Sequence, residues 1–253
     1  MSQQVILNGK MSSIAPDEAV IINKVASDTP PIINGLMPFD VNINGLTRMP
    51  TPTGCVLDLP LYHSALSPAS LKSVDANKHT CSVYGALWTP QGRKFDGTDD
   101  NIALPTSAGL TPATGTIILW LKLSNLADSG YVFSSNANEL SIYHDGAASL
   151  DFYYDSGSLE IAIPRKASIT EFACYGYTFT QGGTVNGYKD GIASGTPATI
   201  SSTAPTESLP KLMSGHNNTL WLAGILGHFM MFNRVLTAYE IQRIYLATRW
   251  RFR

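Results

Sequence analysis

The stretch Gly224-Ile225-Leu226-Gly227-His228-Phe229-Met230-Met231-Phe232-Asn233-Arg234-Val235-Leu236-Thr237-Ala238-Tyr239-Glu240-Ile241 joins a strand to a helix. Residues 225–232 form an apolar run of strand length, ended by the polar pair Asn233-Arg234. Thr237 and Glu240 then make a capping box, in which the hydroxyl accepts the Glu240 amide and the carboxylate reaches back. Ile241, Ile244, Tyr245 and Leu246 follow at helical spacing, which predicts one short helix packed on a β structure.

Working outward, the rest of the chain reads as strands. Thr116-Ile117-Ile118-Leu119-Trp120-Leu121-Lys122-Leu123 is nearly continuous in apolar residues, as expected of a central strand covered on both faces. Shorter runs flank it: 56–59, 81–84, 94–97 leading into 101–104, 131–134, 139–143, 150–154, 159–163, 172–179 and 184–189. Asp145-Gly146, Ser156-Gly157 and Asp190-Gly191 stand between them as hairpin turns. The composition agrees. Only 14% of the 253 residues are charged, against roughly a quarter in an average domain. Gly (21) and Pro (15), with Ser, Thr and Asn, disfavour long helices and suit short strands joined by turns. The expected fold is all-β, two antiparallel sheets in a sandwich, with one short C-terminal helix.

Residues 1–53 differ. Pro16, Pro30-Pro31, Pro38, Pro50 and Pro52 and the Asn34-Gly35 and Asn44-Gly45 turns break their apolar residues into short pieces, Val5-Ile6-Leu7, Val20-Ile21-Ile22 and Ile32-Ile33. Such pieces cannot close a core. The division expected is an extended docking or oligomerisation arm over 1–53 and a folded domain over 54–253.

Several classes are excluded. A net charge of −2 supplies no basic field for a phosphate backbone, so nucleic acid is not an expected partner. No apolar run approaches the 20 or so residues that span a bilayer, so no membrane partner is expected. The start Met1-Ser2-Gln3-Gln4-Val5-Ile6 lacks the basic and apolar regions of a signal peptide. Cys55, Cys81 and Cys174 are odd in number and form no CxxC pair, so they are read as free thiols.

The segment from Cys55 to about Trp250 resembles the laminin-G-like, or concanavalin A-like, jelly-roll superfamily in its phage and bacterial form. The resemblance rests on Val56-Leu57-Asp58-Leu59-Pro60-Leu61 followed by Cys81-Ser82-Val83-Tyr84-Gly85-Ala86-Leu87-Trp88, and on Phe95-Asp96-Gly97-Thr98-Asp99-Asp100-Asn101-Ile102, similar to the family's FDGxDDxI hairpin. It rests also on the closing strand and helix quoted above and on Tyr188-Lys189-Asp190-Gly191-Ile192 in place of its YxNG hairpin. In these motifs Phe95 fills the core, Gly97 supplies a positive φ, the aspartates bind the turn backbone, and Asn233 and Arg234 tie strand to helix.

The resemblance implies lectins, enzymes, adhesion modules and spacers alike. Hydrolases on this fold carry paired carboxylates in a Glu-x-Asp-x-x-Glu pattern; here Glu139, Glu160, Glu171, Glu207 and Glu240 stand apart, and G-x-S-x-G is absent. No catalytic residue, enzyme activity or organic cofactor is therefore expected. Relatives bind Ca²⁺ at a rim, for which Asp96, Asp99 and Asp100, with Asn217 and Asn218, are the candidate ligands; Leu226-Gly227-His228 replaces the family's acidic pair. For a glycan, Tyr143, His144, Tyr153, Tyr154, Trp221 and Asn217 are the candidate contacts. A chain without a signal peptide but with an adhesion-type fold suggests a non-enzymatic virion protein of a phage, made in the host cytoplasm. It would dock to capsid or tail proteins through residues 1–53, form a homo-oligomer, and decorate the capsid or serve a tail fibre. A carbohydrate-binding lectin module of a bacterial surface or secreted protein is the alternative.

Overall fold

The computed structural model describes the strands of the N-terminal unit (Gln3–Leu7, Lys10–Ile14, Asn42–Ile43 and Leu46–Thr47) and residues 51–253 except 107–109, 137–139, 155–158, 204, 206–208 and 253. The Asn34-Gly35, Asn44-Gly45 and Ser156-Gly157 turns, Glu139 and Glu207 lie outside the described residues. The chain divides into two units, Met1–Pro52 and Thr53–Arg253. The first was read as an extended arm, yet it contains two antiparallel pairs. Gln3–Leu7 pairs with Lys10–Ile14. Asn42–Ile43 pairs with Leu46–Thr47.

The second unit is the sandwich. One sheet has eight strands in the order Leu159–Pro164, Ser149–Tyr153, Ser141–Asp145, Ser129–Ser134, Lys211–Leu212, Asn101–Ala103, Thr80–Tyr84 and Ser70–Lys72. The other runs Ile192–Ala193, Thr184–Lys189, Ala173–Thr180, Thr114–Leu123, Gly224–Phe232, Gly92–Phe95 and Leu87–Thr89. Cys55–Leu59 and Ala198–Thr199 pair off this path. Very short strands such as Ile192–Ala193 and Lys211–Leu212 carry too few residues to show a period of two and are not foreseen from sequence.

The long apolar strand lies at the centre, between Ala173–Thr180 and Gly224–Phe232. Ile117, Leu119, Leu121 and Leu123 point into the core between the sheets. Thr116, Ile118 and Trp120, on the other face, are buried as well. Their cover is the helix Ala238–Thr248 and the 3-10 turn Arg249–Phe252. The Trp120 ring stacks on Tyr245 at 5.7 Å and on Phe252 at 4.5 Å, and its Nε1 donates to Thr248. Gly227 makes room for this turn: a Cβ there would stand 2.3 Å from the Phe252 ring. That contact gives the departure Leu226-Gly227-His228 a packing reason.

The Phe95–Ile102 motif is not a hairpin within one sheet. Gly92–Phe95 belongs to the nine-stranded sheet and Asn101–Ala103 to the eight-stranded one, so Asp96–Asp100 carries the chain from one layer to the other. Phe95 and Ile102 fill the core from opposite sides. Gly97 takes φ +83° against Ala223, while Asp96 accepts the Thr98 amide and Asp100 the Asp96 amide. Asp190-Gly191 does form a two-residue turn, with Lys189 opposite Ile192.

Buried charge is rare and caged. Arg93 donates to the carbonyls of Ala86, Leu66, Ser67 and Pro68 at 2.6–2.8 Å, and so ties the turn Ser64–Leu66 to the sheet. His228 Nε2 meets Asp58 Oδ1 at 2.8 Å across neighbouring strands. The three cysteines are free thiols, with Cys81 and Cys174 buried.

The strand-to-helix junction is held by Arg234, which pairs with Glu240 at 2.5 Å and donates to the Thr53 carbonyl, and by the capping box. The hydrogen bonds from Arg234, aided by those from Thr237, hold the Glu240 carboxyl down at about 2, against an ordinary value of 4.5. A depressed carboxyl contributes stability that is full above the ordinary value and fades as pH falls toward the folded one. Glu240→Gln is expected to cost about 1 kcal/mol at pH 7. Its deficit should close between pH 4.5 and 2 in thermal melts. Parallel acid titrations of the two proteins would remove the ion pair from the account of this cap.

Candidate functional site

The outer face of the eight-stranded sheet carries an aromatic and polar recess. In Ser141–Asp145, Ile142 and His144 face inward, so Ser141, Tyr143 and Asp145 face out. In Ser149–Tyr153, Leu150 and Phe152 face inward and Ser149, Asp151 and Tyr153 face out. In Ser129–Ser134 a bulge sends both Val132 and Phe133 into the core and leaves Tyr131 and Ser134 outside.

The pairing registers assemble two rows. Tyr131 lies opposite Tyr143, which lies opposite Asp151. Beside them run Lys211, Ser134, Ser141 and Tyr153, each opposite the next. The rings meet edge to face, Tyr131 to Tyr143 at 5.0 Å and Tyr143 to Tyr153 at 6.4 Å. These outward residues are recessed: Ser134 and Ser141 are fully buried, and Asp151 and Lys211 are 5% and 8% exposed. The Ser141 hydroxyl has no hydrogen-bond partner among the described residues. Burying polar groups in this way is costly unless something binds them.

Burial raises the Tyr131 and Tyr153 hydroxyls above their ordinary value. It also raises the Asp151 carboxyl, opposed by the hydrogen bond from Ser149. Burial lowers Lys211, whose ammonium donates to Asn218. Asp145 is committed to its turn. Its Oδ1 accepts the amides of Ala147, Ala148 and Ser149, and its Oδ2 accepts the Ser149 hydroxyl, which also reaches Asp151 at 2.7 Å.

Of the residues singled out from sequence, Tyr143 and Tyr153 come together here. His144 does not join them: it is buried on the inner face opposite Leu150, with Nδ1 on the Asp128 carbonyl. Tyr154 is also inside, against Phe179. Asn217 caps its own turn by accepting from Thr219, and Gly215 of that turn abuts the Tyr131 ring. Trp221 is half-buried, and its indole N–H has no partner among the described residues. Sequence reasoning missed Tyr131, Ser141, Asp151 and Lys211. Alternation marks the outward side of each strand, but the register that sets them side by side is a tertiary fact.

The carboxylates of Asp96, Asp99 and Asp100 lie within 4.8 Å of one another. Two of them already spend an oxygen on the turn backbone, and Asp100 Oδ1 would stand 1.7 Å from a Cβ on Gly85. Ca²⁺ takes six to eight oxygen ligands, which this trio does not approach. The residues fit a turn better than a metal shell.

Comparison with known proteins follows this geometry. Residues 96–242, more than half of the chain, match the family model of the concanavalin A-like lectin/glucanases superfamily. No curated protein matches. Among solved structures, the Trypanosoma rangeli sialidase superposes with a TM-score of 0.61 at 17% identity, covering 83% of this chain and 35% of that one. The receptor-binding domain of botulinum neurotoxin type G does so with 0.60 at 14%, covering 77% and 51%. The binding domain of serotype D gives 0.62 at 12%, covering 76% and 51%. This chain thus spans about a third of the sialidase and half of the toxin domains, and at such identities the likeness is one of fold. With the sandwich, the crossover motif and the closing strand and helix all in place, the chain belongs to the concanavalin A-like lectin/glucanase superfamily.

Proposed function

We propose that the domain 53–253 is a non-catalytic carbohydrate-binding module whose site is the recess of Tyr131, Tyr143 and Tyr153. The observation that carries this reading is the edge-to-face tyrosine row set against the buried polar row of Ser141, Ser134 and Lys211. A pyranose has apolar C–H faces and an equatorial belt of hydroxyls. The rings offer the first an apolar surface, and Asp151, Ser141 and Lys211 offer the second acceptors and donors. Two of the superposed structures are receptor-binding or binding domains of toxins, which agrees with a binding role.

A hydrolytic reading draws on the nearness of Asp145 and Asp151, since retaining hydrolysis uses two carboxylates about 5 Å apart. Against it, Asp145 gives both oxygens to its own loop. On a glycan array the full chain is expected to bind a restricted set of glycans and to release no reducing sugar from them. Tyr143→Ala or Tyr153→Ala should weaken that binding about tenfold or more. An array without signal ends the binding reading, and turnover abolished by Asp151→Asn would replace it with the hydrolytic one.

Calcium has no part in this proposal. The melting temperature is expected to be the same in Ca²⁺ and in EDTA, because mass action stabilises only a protein that binds the ion. A clear rise with Ca²⁺ would restore Asp96, Asp99 and Asp100 as ligands.

The finer reading is attachment of this module to a larger particle, as a virion component, through residues 1–53. It is supported by the division of the chain at residue 52 and by the two separate strand pairs before it. Mass photometry should show an oligomer for the full chain and a monomer for residues 53–253. A full chain that is monomeric at all concentrations would count against the docking role.

A further inference from the structure

On the other side of the sandwich, the nine-stranded sheet and the C-terminal helical segment enclose a cleft of about 340 Å³. That volume is at the small end of ligand sites, the size of one amino acid or one sugar ring. Its apolar wall is made by Trp120, Phe172, Tyr245 and Phe252. Trp120 itself is stacked on Tyr245 and Phe252 and hydrogen-bonded through its N–H.

Four charged side chains stand around this wall, two of each sign: Lys166 and Arg249, Glu171 and Asp190. On a chain with so few charges this is a concentration. Lys166 and Glu171 satisfy each other at 2.9 Å. The other two do not. Arg249 lies over the Tyr245 ring at 5.9 Å and meets no carboxylate among the described residues. Asp190 gives Oδ1 to the Cys174 amide and lies within electrostatic reach of Lys166, and its second oxygen has no hydrogen-bond partner among the described residues. Both groups border Tyr245. Arg249 follows it by one helical turn, and Gly191, next to Asp190, packs against it closely enough that a Cβ would stand 3.0 Å from the Tyr245 Cβ.

We propose that this cleft binds a small zwitterion of the α-amino-acid type, with its carboxylate on Arg249, its ammonium on Asp190 and its apolar side arm on Phe172 and Tyr245. A purely anionic ligand would face Glu171 and Asp190, and a purely cationic one Lys166 and Arg249, so the lining selects for a ligand that carries both charges. This site lies on a different sheet from the tyrosine recess, and the proposal does not depend on glycan binding there.

The test is isothermal titration of the full chain with L-phenylalanine and L-leucine to about 10 mM, a range that detects the weak affinities of small ligands. N-acetyl-L-phenylalanine and L-phenylalaninamide serve as partners that each lack one charge. Saturable binding of the free amino acids is expected, weakened about tenfold or more in each derivative, as for loss of a charged hydrogen bond. Asp190→Asn keeps the oxygen that accepts the Cys174 amide and should weaken phenylalanine by a similar factor, as should Arg249→Gln. Absence of saturable heat with both amino acids, or binding of either derivative as tight as that of free L-phenylalanine, overturns the proposal. The derivative series runs on the unmodified chain, so the result stands even if a variant fails to fold.

Discussion

The strand Thr114–Leu123 has no face that can be left in water. Ile117, Leu119, Leu121 and Leu123 enter the core between the sheets, and the middle of the other face carries Ile118 and Trp120, which are apolar and buried as well. A strand in a two-layer sandwich has one inner and one outer face, and the outer is normally polar. A third layer is required here, and the helix Ala238–Thr248 with the turn Arg249–Phe252 supplies it. Much else depends on that cover. Arg234 and the capping box fix where the helix starts, Gly227 lets Phe252 seat, and the rim of the lid forms the charged cleft.

The opposite sheet solves the reverse problem. Its outer face is polar, yet several of its side chains are buried. Ser134 donates to the Asn136 carbonyl and Lys211 to Asn218, but the Ser141 hydroxyl has no partner among the described residues; a buried polar group so placed is unfavourable, and proteins tolerate it at binding sites, where a ligand completes the hydrogen bond. The tyrosines beside it add an apolar surface that still carries hydroxyls. The domain therefore has one sheet covered by the helical segment and one whose outer face carries the tyrosine recess, and the two proposed sites lie on opposite sides.

Low charge content shapes how the few ionisable groups are used. Arg93 is held by four carbonyls, Asp58 and His228 hold each other, and Asp96, Asp100 and Asp145 cap turns. Most of the described carboxylates are thus occupied by the fold itself. Among the described residues, Asp151, buried on the outer face with only the Ser149 hydroxyl on one oxygen, and Asp190, beside Lys166 and with one oxygen not hydrogen-bonded, are the carboxylates of the two proposed sites.

The sequence by itself determined the elements whose signals are local. The capping box at Thr237 and Glu240, the Asp190-Gly191 turn, the long central strand and the two-sheet class follow from periodicity and turn chemistry, because neighbouring residues set them. Strands such as Ile192–Ala193, Ala198–Thr199 and Lys211–Leu212 escaped, being too short to show a period. Only the tertiary structure decided which strands sit side by side. It placed Gly92–Phe95 and Asn101–Ala103 in different sheets, where sequence suggested a hairpin. It turned His144 inward while setting Tyr131, Tyr143 and Asp151 in one row. The physical reason is that alternation assigns a residue to a face, whereas register, bulges and sheet crossing depend on partners far away in the chain.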